Sequence, residues 1–185
     1  MIRGYVQVDE QRRADGPVAA ADRWSTRRCP YLYRDLYRAS NAGNATTALH
    51  AIDRARDALA APGLTPELPW FDYYDATRLH GFAGYATLRA ERYDDARIEL
   101  NTALGNLSRS AVKQRAVFLA DLASVELHEG NLDHACKIAG DAAHQLHQAG
   151  YATGAGRLRD LRAALEPWNT TTPVRVLDDQ LAALN

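Results

Sequence analysis

The sequence predicts an all-α protein, and three observations support this fold class. Apolar residues recur at steps of three and four along most of the 185-residue chain, which is the spacing of amphipathic helices. Short turn sequences, such as NAGN at 41–44 and EGN at 129–131, separate these segments. An alternating, strand-like pattern is found only in YVQV at 5–8. Because so short a turn makes two helices run in opposite directions, the sequence predicts antiparallel helix hairpins.

The predicted elements follow one another with few residues between them. Helices are expected within 43–59, 71–90, 91–104, 112–130, 130–143, 157–168 and 173–184. Pro167 is expected to end the sixth of these. Two longer loops are predicted, the proline-rich APGLTPELPW at 61–70 and GNLSRS at 105–110, and Ser110 is expected to cap the helix that follows. The glycine-rich GYATGAG at 150–156 is interpreted as a helix end and a turn.

Three segments of the chain share one outline. Those at 43–59, 91–104 and 130–143 each begin with a turn and carry an alanine in the first turn of the following helix. These alanines are Ala48, Ala96 and Ala135. The residues twelve positions earlier, on the preceding helix, are Leu36, Gly84 and Ala123. In two of the three hairpins a small residue therefore faces another small residue, which allows the two backbones to approach closely.

This outline resembles the tetratricopeptide repeat, a helix-turn-helix unit. The resemblance covers about two-thirds of the chain, 31–146, and is clearest at Gly84, Tyr93, Ala96, Leu100 and Ala103. The three alanines are 48 and 39 residues apart, so residues beyond the family's period of about 34 are assigned to the two long loops. The resemblance implies a right-handed superhelix of stacked hairpins. It divides the chain into an N-terminal segment or partial helix at 1–30, repeats at 31–168 and a C-terminal capping helix at 169–185.

A narrower resemblance concerns regulatory proteins. PWFDYYDATRLHGFAGYATL at 69–88 and LRDLRAALEPW at 158–168 are similar to the sensor region of actinobacterial regulators that join an XRE-type DNA-binding helix-turn-helix to a repeat array. This resemblance implies a role in transcriptional or signalling control. Residues 1–30 show no DNA-binding helix-turn-helix, so direct DNA binding by this chain is not expected.

The resemblance also implies two sets of functional positions. The residues expected to line a concave groove on the first helices of the repeats are Tyr33, Tyr37, Arg78, Tyr85, Arg89, Ser124 and His128. The residues expected to pack the repeats together are Gly84, Tyr93, Ala96, Ala123, Leu132 and Ala135. Tyr and Arg dominate binding hot spots, so the groove is predicted to bind a peptide or protein segment. The alternative is that these are ordinary, partly exposed helix residues. The Lys/Asn pattern that clamps a C-terminal carboxylate is missing at these positions.

Composition and motifs exclude several other classes. The chain has 22 basic and 23 acidic residues and a net charge of −1, which argues against a general nucleic-acid binder, because such proteins usually carry a basic face or a strongly basic domain. With no signal peptide, no spanning apolar run and two distant cysteines, Cys29 and Cys136, a cytoplasmic location away from membranes is predicted. His144 and His147 are three residues apart and could share a helix face, with His134 further up, but no recognised metal motif is present, so no metal or cofactor is expected.

Two alternatives to a peptide-binding domain remain open at this point. One is a structural scaffold that self-associates, with the amphipathic helix at 173–184 forming a homodimer. The other is an enzyme on a helical-repeat scaffold. Neither a GxSxG nor a Walker sequence is present, so an enzyme is not predicted, and the candidates for such a role are Asp72, Asp75, Arg78 and His80.

Overall fold

A computed structural model describes residues 35–36, 38–60, 76–149 and 151–182. Within these ranges the chain forms eight helices, packed as sequential antiparallel pairs. They are α1 (Ala45–Ala60), α2 (Ala76–Arg89), α3 (Tyr93–Asn106), α4 (Val112–His128), α5 (Leu132–Ala149), α6 (Ala152–Ala164), a 3-10 helix (Glu166–Trp168) and α7 (Thr172–Ala182). The predicted all-α class is confirmed. The predicted 61–70 loop and the 1–30 segment lie outside the described residues.

The same turn ends three helical segments: the helical residues 38–41, which precede α1, and the helices α2 and α4. Its central residue has a positive φ in each case, 71° at Gly43, 58° at Glu91 and 82° at Gly130. In each turn the next N–H donates to the carbonyl five positions earlier at 2.9 Å, as Arg92 does to Thr87. This hydrogen bond closes a helix C-terminus around a left-handed residue. The repeated outline in the sequence is therefore also present in the backbone.

Small residues lie where the hairpin helices meet. Gly84 of α2 is buried against Leu100 of α3, and a Cβ added to Gly84 would lie 2.5 Å from the Leu100 Cγ. Of the residues assigned to repeat packing, those buried are Gly84, Ala96, Ala123 and Ala135. The two larger ones, Tyr93 and Leu132, are half-buried beside the same core. Because Gly84 has no side chain, the Leu100 side chain can pack directly against the backbone of α2.

Alternate helices form a row. α2 contacts α4, and α4 contacts α6, while α5 contacts α7. Because consecutive helices are antiparallel, α2, α4 and α6 run in the same direction. One apolar cluster joins α1 to α2, and a larger one extends from Leu88 through α3 to α7, where Val174 and Leu177 are buried. This row of three helices creates the surface on which the candidate site lies.

Two local predictions are wrong. The helix expected from residue 157 begins at Ala152, so most of the predicted glycine-rich turn is helical. Gly154 is used there for close packing, since a Cβ on it would lie 2.6 Å from the Leu146 Cδ2 of α5. Ser110 does not cap α4: Ala111 occupies the N-cap position without a side-chain bond, and the Ser110 Oγ lies 2.9 Å from the Ser108 Oγ.

The length and composition of the helices are relevant to the predicted location away from membranes. Among the described residues, no helix combines the length and the apolar character needed to cross a bilayer.

Candidate functional site

One face of α2, α4 and α6 encloses a cleft of about 290 Å³. Its walls are Tyr85, Leu88, Arg89, Asp121, Ser124, Leu127, His128, Arg157, Asp160, Leu161 and Ala164. On each helix the lining residues recur at steps of three and four, so one stripe of each helix faces the cleft. The cleft is thus a consequence of three parallel helices, each contributing one stripe.

A buried ionic group forms the base of the cleft. The Arg157 Nε lies 3.2 Å from the Asp121 Oδ1, and the Arg157 Cζ lies 3.3 Å from the centre of the Tyr85 ring. Asp121 is 2% exposed and Tyr85 is 7% exposed. The Tyr85 hydroxyl donates to the Asn41 Oδ1 at 2.6 Å, which fixes the ring from its far end. α2, α4 and α6 therefore each supply one member of a stacked, charged group.

Burial controls the ionisation of Asp121. It raises the pKa of this carboxyl from 3.8 to about 6, and the nearby Asp160 adds to the rise. Arg157 acts in the opposite direction by stabilising the charged carboxylate, but its effect is the smaller one. Asp121 therefore changes charge close to neutral pH, inside the cleft.

A smaller apolar cavity of about 90 Å³ adjoins the cleft, because Tyr85, Asp121 and Arg157 line both. Its other walls are Arg78, Gly81, Phe82, Gln114, Val117, Phe118, Tyr151 and Thr153. The Lys113 Nζ lies 5.9 Å from the centre of the Tyr151 ring at this end. The two spaces together form one surface with an apolar end and a charged end.

The structure brings together most of the predicted groove residues that it describes. Tyr85, Arg89, Ser124 and His128 line the cleft, and Arg78 lines the adjoining cavity. Tyr33 and Tyr37 lie outside the described residues. His128 is exposed and stacks on Tyr93 of α3, with ring centres 4.9 Å apart and 10° between the planes.

Sequence reasoning missed the charged residues of the cleft. Asp121, Arg157 and Asp160 were not among the candidates, although Asp121 follows an otherwise apolar stretch of α4. An acid within such a stretch is a signal that Asp121 is buried and needs a cationic partner, but it does not identify Arg157 as that partner.

Two further carboxylates hold neighbouring helices together outside the cleft. Glu99 of α3 accepts hydrogen bonds from Arg56 of α1 and from the His80 Nδ1 of α2, the latter at 2.7 Å.

The second carboxylate, Glu126 of α4, is 2% exposed and has Arg97, Asn131 and His134 as partners. Arg97 also pairs with Glu129. These sites account for His80 and His134 as partners of carboxylates in the helix packing.

The partners of Glu126 determine its charge state. Burial tends to raise the pKa of Glu126, but its hydrogen bonds to His134 and Asn131 and the charge of Arg97 outweigh burial and lower it. Glu126 is therefore ionised at neutral pH and fixes the junction of α3, α4 and α5.

The remaining candidates for chemistry are distributed over different surfaces. Asp72 and Asp75 lie outside the described residues, while Arg78 lines the small cavity and His80 contacts Glu99. In the part of the chain that the structure covers, no three His, Cys, Asp or Glu residues are grouped so as to hold a metal ion. Cys136 is buried, and burial raises the pKa of its thiol, with Asp133 adding to the effect.

Comparison with known proteins identifies no family. No family model matches the chain, and no curated protein and no solved structure matches it. The arrangement of side chains in the cleft is therefore the basis for an inference about function.

Proposed function

We propose that this chain is a binding domain of the tetratricopeptide-repeat type, which recognises a peptide or protein segment in the cleft between α2, α4 and α6. The observation that carries the proposal is the cleft itself, about 290 Å³, with Tyr85, Arg89, Ser124 and His128 on its walls. Tyr and Arg side chains provide large contact areas and directed hydrogen bonds, as binding hot spots require. Stripes of residues along parallel helices suit an extended or helical ligand.

The proposal also includes a superhelical arrangement of the helices. In it, the contacts of α2 with α4 and of α4 with α6 are successive steps of a right-handed superhelix, and α7 covers the end of the second layer through α5. By its resemblance to sensor regions, the domain serves transcriptional or signalling control in the cytoplasm and acts through a protein partner, without binding nucleic acid or membranes directly.

Regulation in this proposal requires that the ligand prefer one arrangement of the helices. A ligand that contacts α2, α4 and α6 together favours the arrangement in which their three stripes are correctly spaced. A change in this spacing is transmitted to α3 and α5, because Glu99 and Glu126 connect these helices to the row.

The experiment is a selection of displayed random peptides on the purified domain, followed by affinity measurement with a labelled selected peptide. We expect Arg89→Ala and His128→Ala to weaken binding by about tenfold each, since each is an exposed side chain at the cleft. Arg109→Ala, at an exposed loop position away from the cleft, is the matched control and should bind as the parent does. Failure to select any peptide, or equal affinities for all three variants, would overturn the proposal.

Self-association is the second candidate, and one observation favours it. Val176 on α7 is 51% exposed and lines an open groove of about 750 Å³ between α5 and α7. A groove with exposed apolar residues on an amphipathic helix is the kind of surface at which a second copy could pack. Light scattering over a concentration series would detect the dimer, and Val176→Asp should then abolish it. A monomer at every concentration would exclude this candidate.

A further inference from the structure

The contacts of Arg157 have the geometry of a ligand in a binding site. Its Cζ lies over the Tyr85 ring, 3.3 Å from the ring centre, and its Nε lies 3.2 Å from the Asp121 Oδ1. An aromatic face and a carboxylate are the two features that proteins use to hold a guanidinium group. Here α2 and α4 supply the receptor, and α6 supplies the group that occupies it.

The charges of the cleft define what else could occupy this position. The cleft is lined by two arginines, Arg89 and Arg157, and by two carboxylates, Asp121 and Asp160, so these charges cancel. If Arg157 moves out, a net negative charge remains and the carboxylate of Asp121 is left buried without this cation. An uncompensated buried carboxylate is strongly unfavourable, so Asp121 without Arg157 must either take up a proton or bind another cation, and at a pH above its pKa a cation is favoured. An acidic ligand would add a third negative charge.

The ring of Tyr85 distinguishes between the two kinds of cationic side chain. A guanidinium is planar, weakly hydrated and able to stack on an aromatic face while its edge donates hydrogen bonds to a carboxylate. An ammonium is compact and strongly hydrated, so it loses more hydration energy at a site as buried as Asp121 and gains less from the ring. The site therefore favours arginine over lysine.

We propose that Tyr85 and Asp121 form a guanidinium-binding pocket, that Arg157 occupies it within the chain, and that the segment recognised by the cleft carries an arginine that takes the place of Arg157. Its role in partner recognition rests on the proposed function, whereas the pocket itself does not. Because Arg157 is tethered, it competes at an effective concentration of about a millimolar or more. The incoming segment must therefore also contact the outer walls of the cleft, at Arg89 and His128.

Chemical rescue of an emptied pocket tests this inference. Arg157→Ala leaves the pocket vacant, and thermal unfolding is followed while methylguanidinium chloride is added, with methylammonium chloride at the same ionic strength as the matched cation. We expect methylguanidinium to raise the Tm of Arg157→Ala in a saturable manner and methylammonium to raise it much less. The parent protein should respond to neither cation, because Arg157 already fills the site.

A double variant shows whether the rescue acts through Asp121. In Arg157→Ala combined with Asp121→Asn, the carboxylate is removed and the selective rise in Tm should be lost. A rescue that survives in the double variant, or equal effects of the two cations on Arg157→Ala, overturns the pocket. If Arg157→Ala does not fold by itself, recovery of its helical circular dichroism only with methylguanidinium supports the inference, and no recovery overturns it.

A second measurement examines competition by the tethered arginine. N-acetylargininamide should bind to Arg157→Ala about tenfold or more tightly than to the parent protein, and N-acetyllysinamide should not show this preference. Equal affinities for the two proteins would contradict occupation by Arg157. The two proposals fail separately: rescue without any selected peptide removes the proposed function alone, and a selected peptide without rescue removes only the pocket.

Discussion

Arg157 of α6 and Tyr85 of α2 are stacked, with the guanidinium carbon 3.3 Å from the centre of the ring, beside the buried Asp121 of α4. This contact joins three helices that are far apart in the sequence. It consists of a cation, an aromatic ring and a carboxylate, so its strength depends on charge as well as on packing. A cleft built around such a group responds to anything that changes the charge of Asp121.

The first prediction concerns the effect of pH on stability through Asp121. Its pKa is about 6 in the folded protein and 3.8 as the ordinary value, so the folded state binds this proton more tightly than the unfolded state does. Protonation of Asp121 therefore stabilises the fold. The contribution is complete below pH 3.8 and is lost as the pH rises through about 6.

Asp121→Asn removes this ionisation while it keeps the shape of the side chain. The free energy of unfolding of the parent minus that of Asp121→Asn should fall by up to about 3 kcal/mol between pH 4 and pH 8. Urea unfolding of both proteins across this range measures the difference. Contributions common to both, such as that of Glu126, cancel, and a difference that does not change with pH would contradict the prediction.

The second prediction compares two glycines in neighbouring helices. A Cβ on Gly84 would lie 2.5 Å from the Leu100 Cγ and 3.3 Å from the Leu100 backbone nitrogen, so the helices must separate to accept it. Gly84→Ala should destabilise the protein by about 1–3 kcal/mol, as overpacking does. At Gly105, near the end of α3, an added Cβ meets nothing within 4 Å. Gly105→Ala should therefore stabilise the protein by about 0.5–1 kcal/mol, and urea unfolding that gives both changes the same sign would contradict the close contact.

The helical framework could be predicted from the sequence because its signals are local. Apolar spacing determines which face of a helix is buried, and the three turns share a pattern of residues that the backbone geometry repeats. Gly84 and Ala96 were expected to pack the helices together from their spacing and from the resemblance to the repeat, and both are buried. The prediction of a turn was wrong at Gly154, because glycine occurs both in turns and at close contacts between helices. Gly154 lies inside α6 and packs against Leu146.

The base of the cleft could not be predicted because it depends on contacts between distant parts of the chain. The Arg157 Nε lies 3.2 Å from the Asp121 Oδ1, yet no local pattern in the sequence identifies either residue as the partner of the other. Phe118 similarly packs on Gly81, where a Cβ would lie 2.1 Å from its ring, and no local pattern pairs the two. Such pairs follow from which helices are neighbours, and that information is not contained in any single helix.

The third prediction concerns the left-handed residue between α2 and α3. Glu91 has a φ of 58°, a conformation that costs about 1–2 kcal/mol for a residue with a Cβ. Glu91→Gly should therefore stabilise the protein by about 0.5–1 kcal/mol, once the greater flexibility of glycine in the unfolded chain is subtracted. The same turn at Gly130, with a φ of 82°, is the reverse control, and Gly130→Ala should destabilise by about 1 kcal/mol. Thermal and urea unfolding of both variants measure these changes, and a loss of stability in Glu91→Gly would contradict the prediction.

The last prediction distinguishes a buried ion pair from an exposed one on the same helix. Arg97 of α3 contacts the carboxylate of Glu126, which is 2% exposed, and also that of Glu129. In Arg97→Ala the buried carboxylate keeps Asn131 and His134 as partners but loses its arginine, so a loss of about 2–4 kcal/mol is expected.

Arg92→Ala is the matched control for this change. Arg92 pairs with Asp95 at the start of α3, but the two side chains are 52% and 44% exposed, and such pairs contribute less than about 1 kcal/mol. Urea unfolding at neutral pH measures both variants.

The two variants should also differ in their pH dependence. Since the pKa of Glu126 is lowered in the folded state, its stabilising contribution is present above the ordinary value of 4.5 and is lost as the pH falls below it. Raising the pKa of Glu126 by removing Arg97 should shift this loss to higher pH, whereas Arg92→Ala should leave it unchanged. Equal losses of unfolding free energy in Arg97→Ala and Arg92→Ala at neutral pH would contradict the prediction, because the buried contact would then contribute no more than a surface pair.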